Sequence, residues 1–333
     1  MTWTRRRAIR NFASLLAASP VLRGQESIAP REELVNVFEA EDAARRALPD
    51  AAHALIAGSN RRAFERMTLR PRMLVNITQL DLSTELFGEK LFTPILMGPI
   101  SEQKRFHSEG ELASVRGASA AQTVMVVSGR SSFPVTEIAA QSKTTLWYQV
   151  YPEPDMTAVR DRVMAALRSG CKAVCLTVGT PSGAVGWNAI DRLRQGLKVP
   201  FVLKGILSAE EARTAVQHGV EGIVVSNHGG TFATGLAEPI EALPAIVDAV
   251  GGKAPVLVDG SFRRGTDILK ALALGARAVL IGRPAMWGLA AYGAGGVETV
   301  LQMLQSELAR DMGMSGKPNV KAIDRSLVRI HRR

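Results

Sequence analysis

The sequence predicts an α/β fold, a (β/α)₈ TIM barrel built as a single domain. Two observations carry that expectation. From Thr93 onward, eight short apolar runs rich in β-branched residues alternate with helix-length segments, and each run ends in glycine, polar or ionisable residues. Near-continuous apolar strands separated by helices indicate a parallel sheet buried on both faces, and eight such units favour closure. At 333 residues, 46% of them hydrophobic, the chain can hold a barrel of roughly 250 residues with extensions. An open doubly wound sheet is the competing architecture.

The runs are Pro94–Ile100, Val124–Ser128, Leu146–Tyr151, Ala173–Val178, Phe201–Ile206, Gly222–Ser226, Pro255–Asp259 and Ala278–Ile281. The segments between them carry helix signals. Ser208 and Glu211 have capping-box spacing. Ile268, Leu269, Ala271 and Leu272 make one apolar helix face, and Gly275 stands where that helix should stop.

In a parallel barrel the chemistry collects at the C-terminal ends of the strands, so the residues closing each run survey the site. They are Pro99-Ile100-Ser101, Ser128-Gly129-Arg130, Gln149-Val150-Tyr151, Thr177-Val178-Gly179, Lys204-Gly205, Ser226-Asn227-His228-Gly229-Gly230, Asp259-Gly260-Ser261 and Gly282-Arg283-Pro284. The last two clusters are the most specific. Glycines let backbone N–H groups approach an anion, Arg263 and Arg283 supply planar charge, and the loops after strands seven and eight are the usual barrel phosphate site. Lys204 has two readings, a charge that stabilises a bound anion or a Schiff-base amine.

Charge is uneven. The net +10 belongs to the two ends: six Arg against one Glu in residues 1–31, and six Lys/Arg against one Asp in residues 317–333. The body between them is neutral, and no basic stripe interleaved with aromatics appears, so no nucleic-acid partner is expected. Cys171 and Cys175, four apart in an extending chain, are too far apart for a disulfide and too few for a metal site; no metal is expected. Thr4-Arg5-Arg6-Arg7-Ala8-Ile9-Arg10 and the short apolar stretch Phe12 to Leu22 are similar to a twin-arginine export signal over residues 1–24, which predicts an exported, periplasmic protein. A basic, frayed N-terminus on a cytoplasmic protein is the alternative. The expected barrel then spans 32–323, followed by a basic tail, 324–333.

The combination Ser226-Asn227-His228-Gly229, Asp259-Gly260-x-x-Arg263-Arg264-Gly265-Thr266-Asp267 and Gly282-Arg283-Pro284 resembles the FMN-dependent 2-hydroxy-acid oxidases and dehydrogenases, with plant glycolate oxidase as an example. The likeness runs from about Leu48 to Ile323. It implies an FMN cofactor and a small-molecule substrate. By position, Ser128, Gln149, Thr177 and Ser226 match the flavin-side polar groups, and Pro99, Ile100 and Ser101 match the backbone segment behind the ring. Lys204 matches the lysine near the flavin N1–C2=O edge, where positive charge stabilises the reduced anion. Asp259, Gly260, Ser261, Arg263, Gly282 and Arg283 match the phosphate and ribityl contacts. His228 matches the general base, a task suited to an imidazole, and Tyr151 a tyrosine of the substrate pocket.

Several residues that hold substrate in that family are missing. Thr231 stands where an arginine clamps the substrate carboxylate, and Gly179 where an aspartate pairs with the histidine. The loop with a second arginine is cut to Pro181–Gly186, and Leu48–Phe64 contains no tyrosine. Arg130 replaces a pocket-lining aromatic and is the candidate for a relocated substrate anchor, with exposure to solvent as the plain alternative; Arg105 could also reach inward. Three functions therefore stand open: an FMN-dependent oxidoreductase of the 2-hydroxy-acid oxidase type with an altered pocket, a flavin-binding protein with little or no such activity, and a phosphate-binding lyase using Lys204. A membrane quinone or redox partner as electron acceptor and a homo-oligomeric state are further expectations.

Overall fold

The computed structural model describes residues 28–58, 60–180, 185–230 and 237–331. The export-like segment, Thr231 and most of the shortened loop lie outside them. Eight parallel strands close into a barrel, in sequence order around the ring: β1 (Ile95–Met97), β2 (Met125–Ser128), β3 (Leu146–Val150), β4 (Ala173–Thr177), β5 (Phe201–Ile206), β6 (Gly222–Val225), β7 (Val256–Asp259) and β8 (Ala278–Ile281). Each is followed by a helix: α1 (Gly110–Ala120), α2 (Val135–Ala140), α3 (Met156–Arg168), α4 (Trp187–Arg194), α5 (Ala209–Gln217), α6 (Pro239–Val250), α7 (Gly265–Ala273) and α8 (Arg283–Met314), the last kinked at Gly293. β8 pairs with β1, which closes the ring and removes the open-sheet alternative.

Burial explains why the runs read as continuously apolar. The strands β2, β3, β4, β6 and β8 are buried at every position. Side chains pointing outward, such as Val127, Val174 and Leu203, meet the helices, while Trp147, Cys175, Val202 and Leu257 fill the interior. A two-stranded ribbon, Thr84–Leu86 with Glu89–Leu91, plugs the N-terminal end, and its Phe87 ring lies 5.5 Å from Trp147. The filled bottom leaves the C-terminal face as the place for a ligand. Cys171 and Cys175 are free thiols, and burial pushes both up to about 12.

Helix ends follow the sequence signals. Ser208 caps α5 in a reciprocal capping box with Glu211, and α7 stops at Ala273, two residues before Gly275 (φ 105°). The C-terminal residues described are placed against the body of the protein. Val328–Ile330 pairs antiparallel with Met67–Leu69, Leu327 is buried, and Arg325 is ion-paired to Asp248 on α6, so the chain is tied to the body through His331.

Candidate active site

A cavity of about 420 Å³ opens at the C-terminal ends of the strands, within the range of small-molecule sites. Strand ends β1, β3, β4 and β5 contribute Pro99, Ile100, Ser101, Tyr151, Thr177 and Lys204 to its wall. The loops after β6, β7 and β8 contribute His228, then Asp259, Gly260, Ser261 and Arg263, then Gly282 and Arg283. The fold thus brings together residues from seven strand ends, as the sequence predicted.

Three side chains expected at the cofactor stand just behind the wall. Ser128, Gln149 and Ser226 are almost fully buried. Ser128 and Gln149 belong to a hydrogen-bonded chain across β1 to β4: Ser101 Oγ to Ser128 Oγ at 3.0 Å, Ser128 Oγ to Gln149 Oε1 at 3.2 Å, and Gln149 Nε2 to Thr177 Oγ1 at 2.8 Å. Satisfied buried polar chains of this kind fix rotamers. They leave Ser101 and Thr177 on the wall in defined orientations.

Ser226 joins a second network. Lys204 Nζ lies 2.8 Å from Asp259 Oδ2 and donates to Ser226 Oγ at 2.8 Å, and Ser226 Oγ in turn donates to Asp259 Oδ2 at 2.9 Å. An amine inside that ion pair is a fixed positive charge. This disfavours the lyase reading, which needs Lys204 as a free nucleophile. Lys204 is instead suited to face a developing anion.

His228 follows β6 with its backbone in the left-handed region (φ 56°). Ser261 (φ 62°) and Glu102 (φ 52°) at the same cavity share that uncommon conformation. Such positive-φ residues cost roughly 1–3 kcal/mol each and gather at functional sites. The His228 N–H donates to Ser226 Oγ at 3.1 Å, which ties the histidine to the Lys204 network. Burial, reinforced by the Lys204 charge, holds the imidazole below its ordinary value; Asp259 and a hydrogen bond to the Val178 carbonyl oppose this.

Two glycines make room for the ring. A Cβ at Gly205 (φ 114°) would come within 2.3 Å of the Val178 oxygen and 2.9 Å of His228 Cε1. A Cβ at Gly179 would stand 3.6 Å from His228 Nε2, so a carboxylate on that residue would reach the imidazole. The glycine at 179 supplies none.

In the loop after β7, Arg263 is 97% buried, its guanidinium carbon 4.5 Å from the Trp287 ring centroid, and it is pulled down to about 10 by burial, which leaves it charged at neutral pH. Arg283 donates to the Gly229 carbonyl at 2.7 Å. FMN fits this set on one further observation. Asp259 Oδ1 is buried with no hydrogen-bond partner among the described residues, as an acceptor kept for a ligand hydroxyl would be.

Known proteins match the chain along most of its length. The profile of the FMN-dependent dehydrogenases matches residues 50–185 and 180–330. The chain belongs to that family. FMN is its cofactor, and it is an oxidoreductase of the 2-hydroxy-acid oxidase type. Among its relatives, an L-lactate oxidase from Nostoc sp. is 38% identical over 89% of this chain and 98% of its own, and the glycolate oxidase of Spinacia oleracea is 36% identical over 88% and 95%. The crystal structure of a mandelate oxidase with (S)-2-phenylpropionate superposes with a TM-score of 0.84 at 38% identity, covering 88% of this chain and 97% of that one.

Sequence reading missed several contributors to the family member's site. Leu55 and Ile56, at the end of the helix Asp50–Ile56, reach the cavity from the N-terminal segment. Arg61 clamps the β7 loop by donating to the Ser261 carbonyl and forming a two-pronged ion pair with Asp267. Nothing in local sequence links residue 61 to residue 267. Arg105 does reach the wall, as expected, paired to Glu102 at 2.5 Å. Arg130 is exposed, off the wall, with its guanidinium carbon 4.4 Å above the Tyr151 ring.

Proposed function

We propose that this protein oxidises a 2-hydroxy acid to the 2-oxo acid, with His228 as the base. The observation that supports this most directly is the half-buried imidazole on the cavity wall, held below its ordinary pKa and hydrogen-bonded to the Val178 carbonyl. That bond helps to fix the ring's orientation. FMN, when bound, supplies the two-electron acceptor. The chain's own residues do the rest: His228 takes a proton from the substrate as the electrons leave, the Lys204 charge faces the electron-rich product of the transfer, and Tyr151 walls the substrate side. Arg263, Arg283 and Asp259 hold the cofactor's phosphate and ribityl groups.

Anaerobic mixing with a panel of 2-hydroxy acids tests the reading. At least one acid is expected to bleach the flavin absorbance. Bleaching by dithionite alone would favour the second reading, a flavin-binding protein with little oxidase activity, which the missing carboxylate at Gly179 supports.

The titration of His228 gives a second expected result. A base must be neutral to work, so activity falls as pH drops through its pKa. With that pKa lowered from 6.5, the acid limb of kcat/KM should lie below pH 6.5. Gly179→Asp should move the limb to higher pH by stabilising the imidazolium. Aspartate tolerates the left-handed backbone there (φ 73°) better than most residues. A limb unmoved by that change would remove His228 as the group observed.

Export rests on the 1–24 segment, with a membrane quinone or redox partner as electron acceptor outside the barrel. Homo-oligomer formation is supported by the exposed apolar side chains Met73, Leu74, Val75, Ile77 and Leu80 along one surface segment.

A further inference from the structure

The cations around the cavity differ in what already engages them. Lys204 is paired with Asp259, Arg105 with Glu102, and Arg283 with the Gly229 carbonyl, while the Arg263 guanidinium carbon lies 4.5 Å from the Trp287 ring centroid. Arg130 has no carboxylate partner among the described residues. Its guanidinium carbon lies 4.4 Å from the centroid of the Tyr151 ring, and Tyr151 lines the cavity. A cation–π contact gives the guanidinium no hydrogen-bond acceptor, so its N–H fork can still bind a carboxylate through two parallel hydrogen bonds.

The loop that carries Arg130 is fixed in place. The Arg130 N–H donates to Ser128 Oγ at 3.2 Å, and its carbonyl accepts from the Glu102 N–H at 3.0 Å. Two residues on, the Ser132 N–H donates to Glu111 Oε1 at 3.0 Å, and the same oxygen accepts from the Gln103 N–H at 3.0 Å. Glu111 lies fully buried on α1, so one carboxylate pins the loops after β1 and β2 together. A guanidinium on a pinned loop loses little further freedom on binding. Beside it, Lys104 stands 4.0 Å over the Phe133 ring, also without a carboxylate partner among the described residues, which makes this rim electropositive.

Arg130 is exposed beside Tyr151 and is not among the residues of the cavity wall that carries His228. An anion that it holds therefore lies off that wall, the place of a second carboxylate rather than of the one next to the reacting carbon. We infer that the preferred substrates are dicarboxylic 2-hydroxy acids, with the distal carboxylate held by the Arg130 fork. This rests on the oxidation proposed above and names its substrate class.

The test uses the purified FMN-bound protein and two unreactive ligands of equal chain length, succinate and butyrate, titrated against the visible flavin spectrum. Succinate is expected to bind about 10- to 100-fold more tightly, the scale of one charge-assisted two-pronged contact. Arg130→Ala should erase the preference and Arg130→Lys retain part of it; the side chain is exposed, so both variants should keep the wild-type unfolding midpoint. Anaerobic bleaching by 2-hydroxyglutarate against 2-hydroxyvalerate should follow the same order. Equal binding of the two ligands by wild type, or an unchanged preference in Arg130→Ala, overturns the inference while bleaching by either acid leaves the oxidation standing. If neither these nor any other 2-hydroxy acid bleaches the flavin, both fall.

Discussion

His228→Ala is expected to retain FMN and to reduce the flavin with a 2-hydroxy acid about 10²- to 10⁴-fold more slowly, the usual contribution of a positioned base. The imidazole lies on the cavity wall, while the Asp259–Lys204–Ser226 network and the Arg263–Trp287 stack are built from other side chains. Loss of the ring should therefore leave the flavin spectrum in place, and dithionite should still bleach it. Stopped-flow reduction of wild type and variant under the same anaerobic conditions measures the effect. A change below about threefold would mean that another group takes the proton. The effect should sit toward the lower end of the range, because Gly179 gives the imidazolium no carboxylate to stabilise it.

The second large effect is on stability. Lys204 and Asp259 have side chains 8% and 16% exposed, and their charges are 2.8 Å apart. Removing one partner of a buried pair leaves an uncompensated charge, at about 3–5 kcal/mol. Lys204→Met should therefore lower the unfolding midpoint of the apo-protein by roughly 5–10 °C, given a few degrees per kcal/mol for a chain of this size. Lys204→Met with Asp259→Asn removes both charges and should recover more than half of the loss. Calorimetry or circular dichroism on the flavin-free protein separates this from cofactor binding. A drop under about 2 °C would put the pair in the class of surface salt bridges worth 0–1 kcal/mol.

Most of the barrel was legible because a buried parallel strand must be apolar on both faces. β5 and β8 match the expected runs residue for residue, and the others begin or end one or more residues inside them, since hydrogen-bonded pairing stops before the apolar run does. The phosphate end was equally legible. Asp259-Gly260-Ser261 and Gly282-Arg283 are short contiguous signals, and the fold rule for strand ends says where they meet. What could not be read were contacts between distant segments. Arg61 with Asp267, Glu111 with Ser132, and Leu55 at the cavity depend on how the N-terminal helices and the α1 helix dock. The pairing of Val328–Ile330 was unreadable for the same reason: its partner strand lies more than 250 residues away.

The sequence by itself determined the barrel and the polar, glycine-rich residues at its strand ends, because each depends on a local pattern or on a fixed rule about parallel barrels. Only the tertiary structure decided that Lys204 is locked to Asp259 and Ser226, and that His228 faces a glycine at 179 within reach of a carboxylate. It also decided that the Arg130 guanidinium lies 4.4 Å from the Tyr151 ring centroid. Those are relations between side chains on different strands, set by register and packing in three dimensions, and no spacing along the chain encodes them.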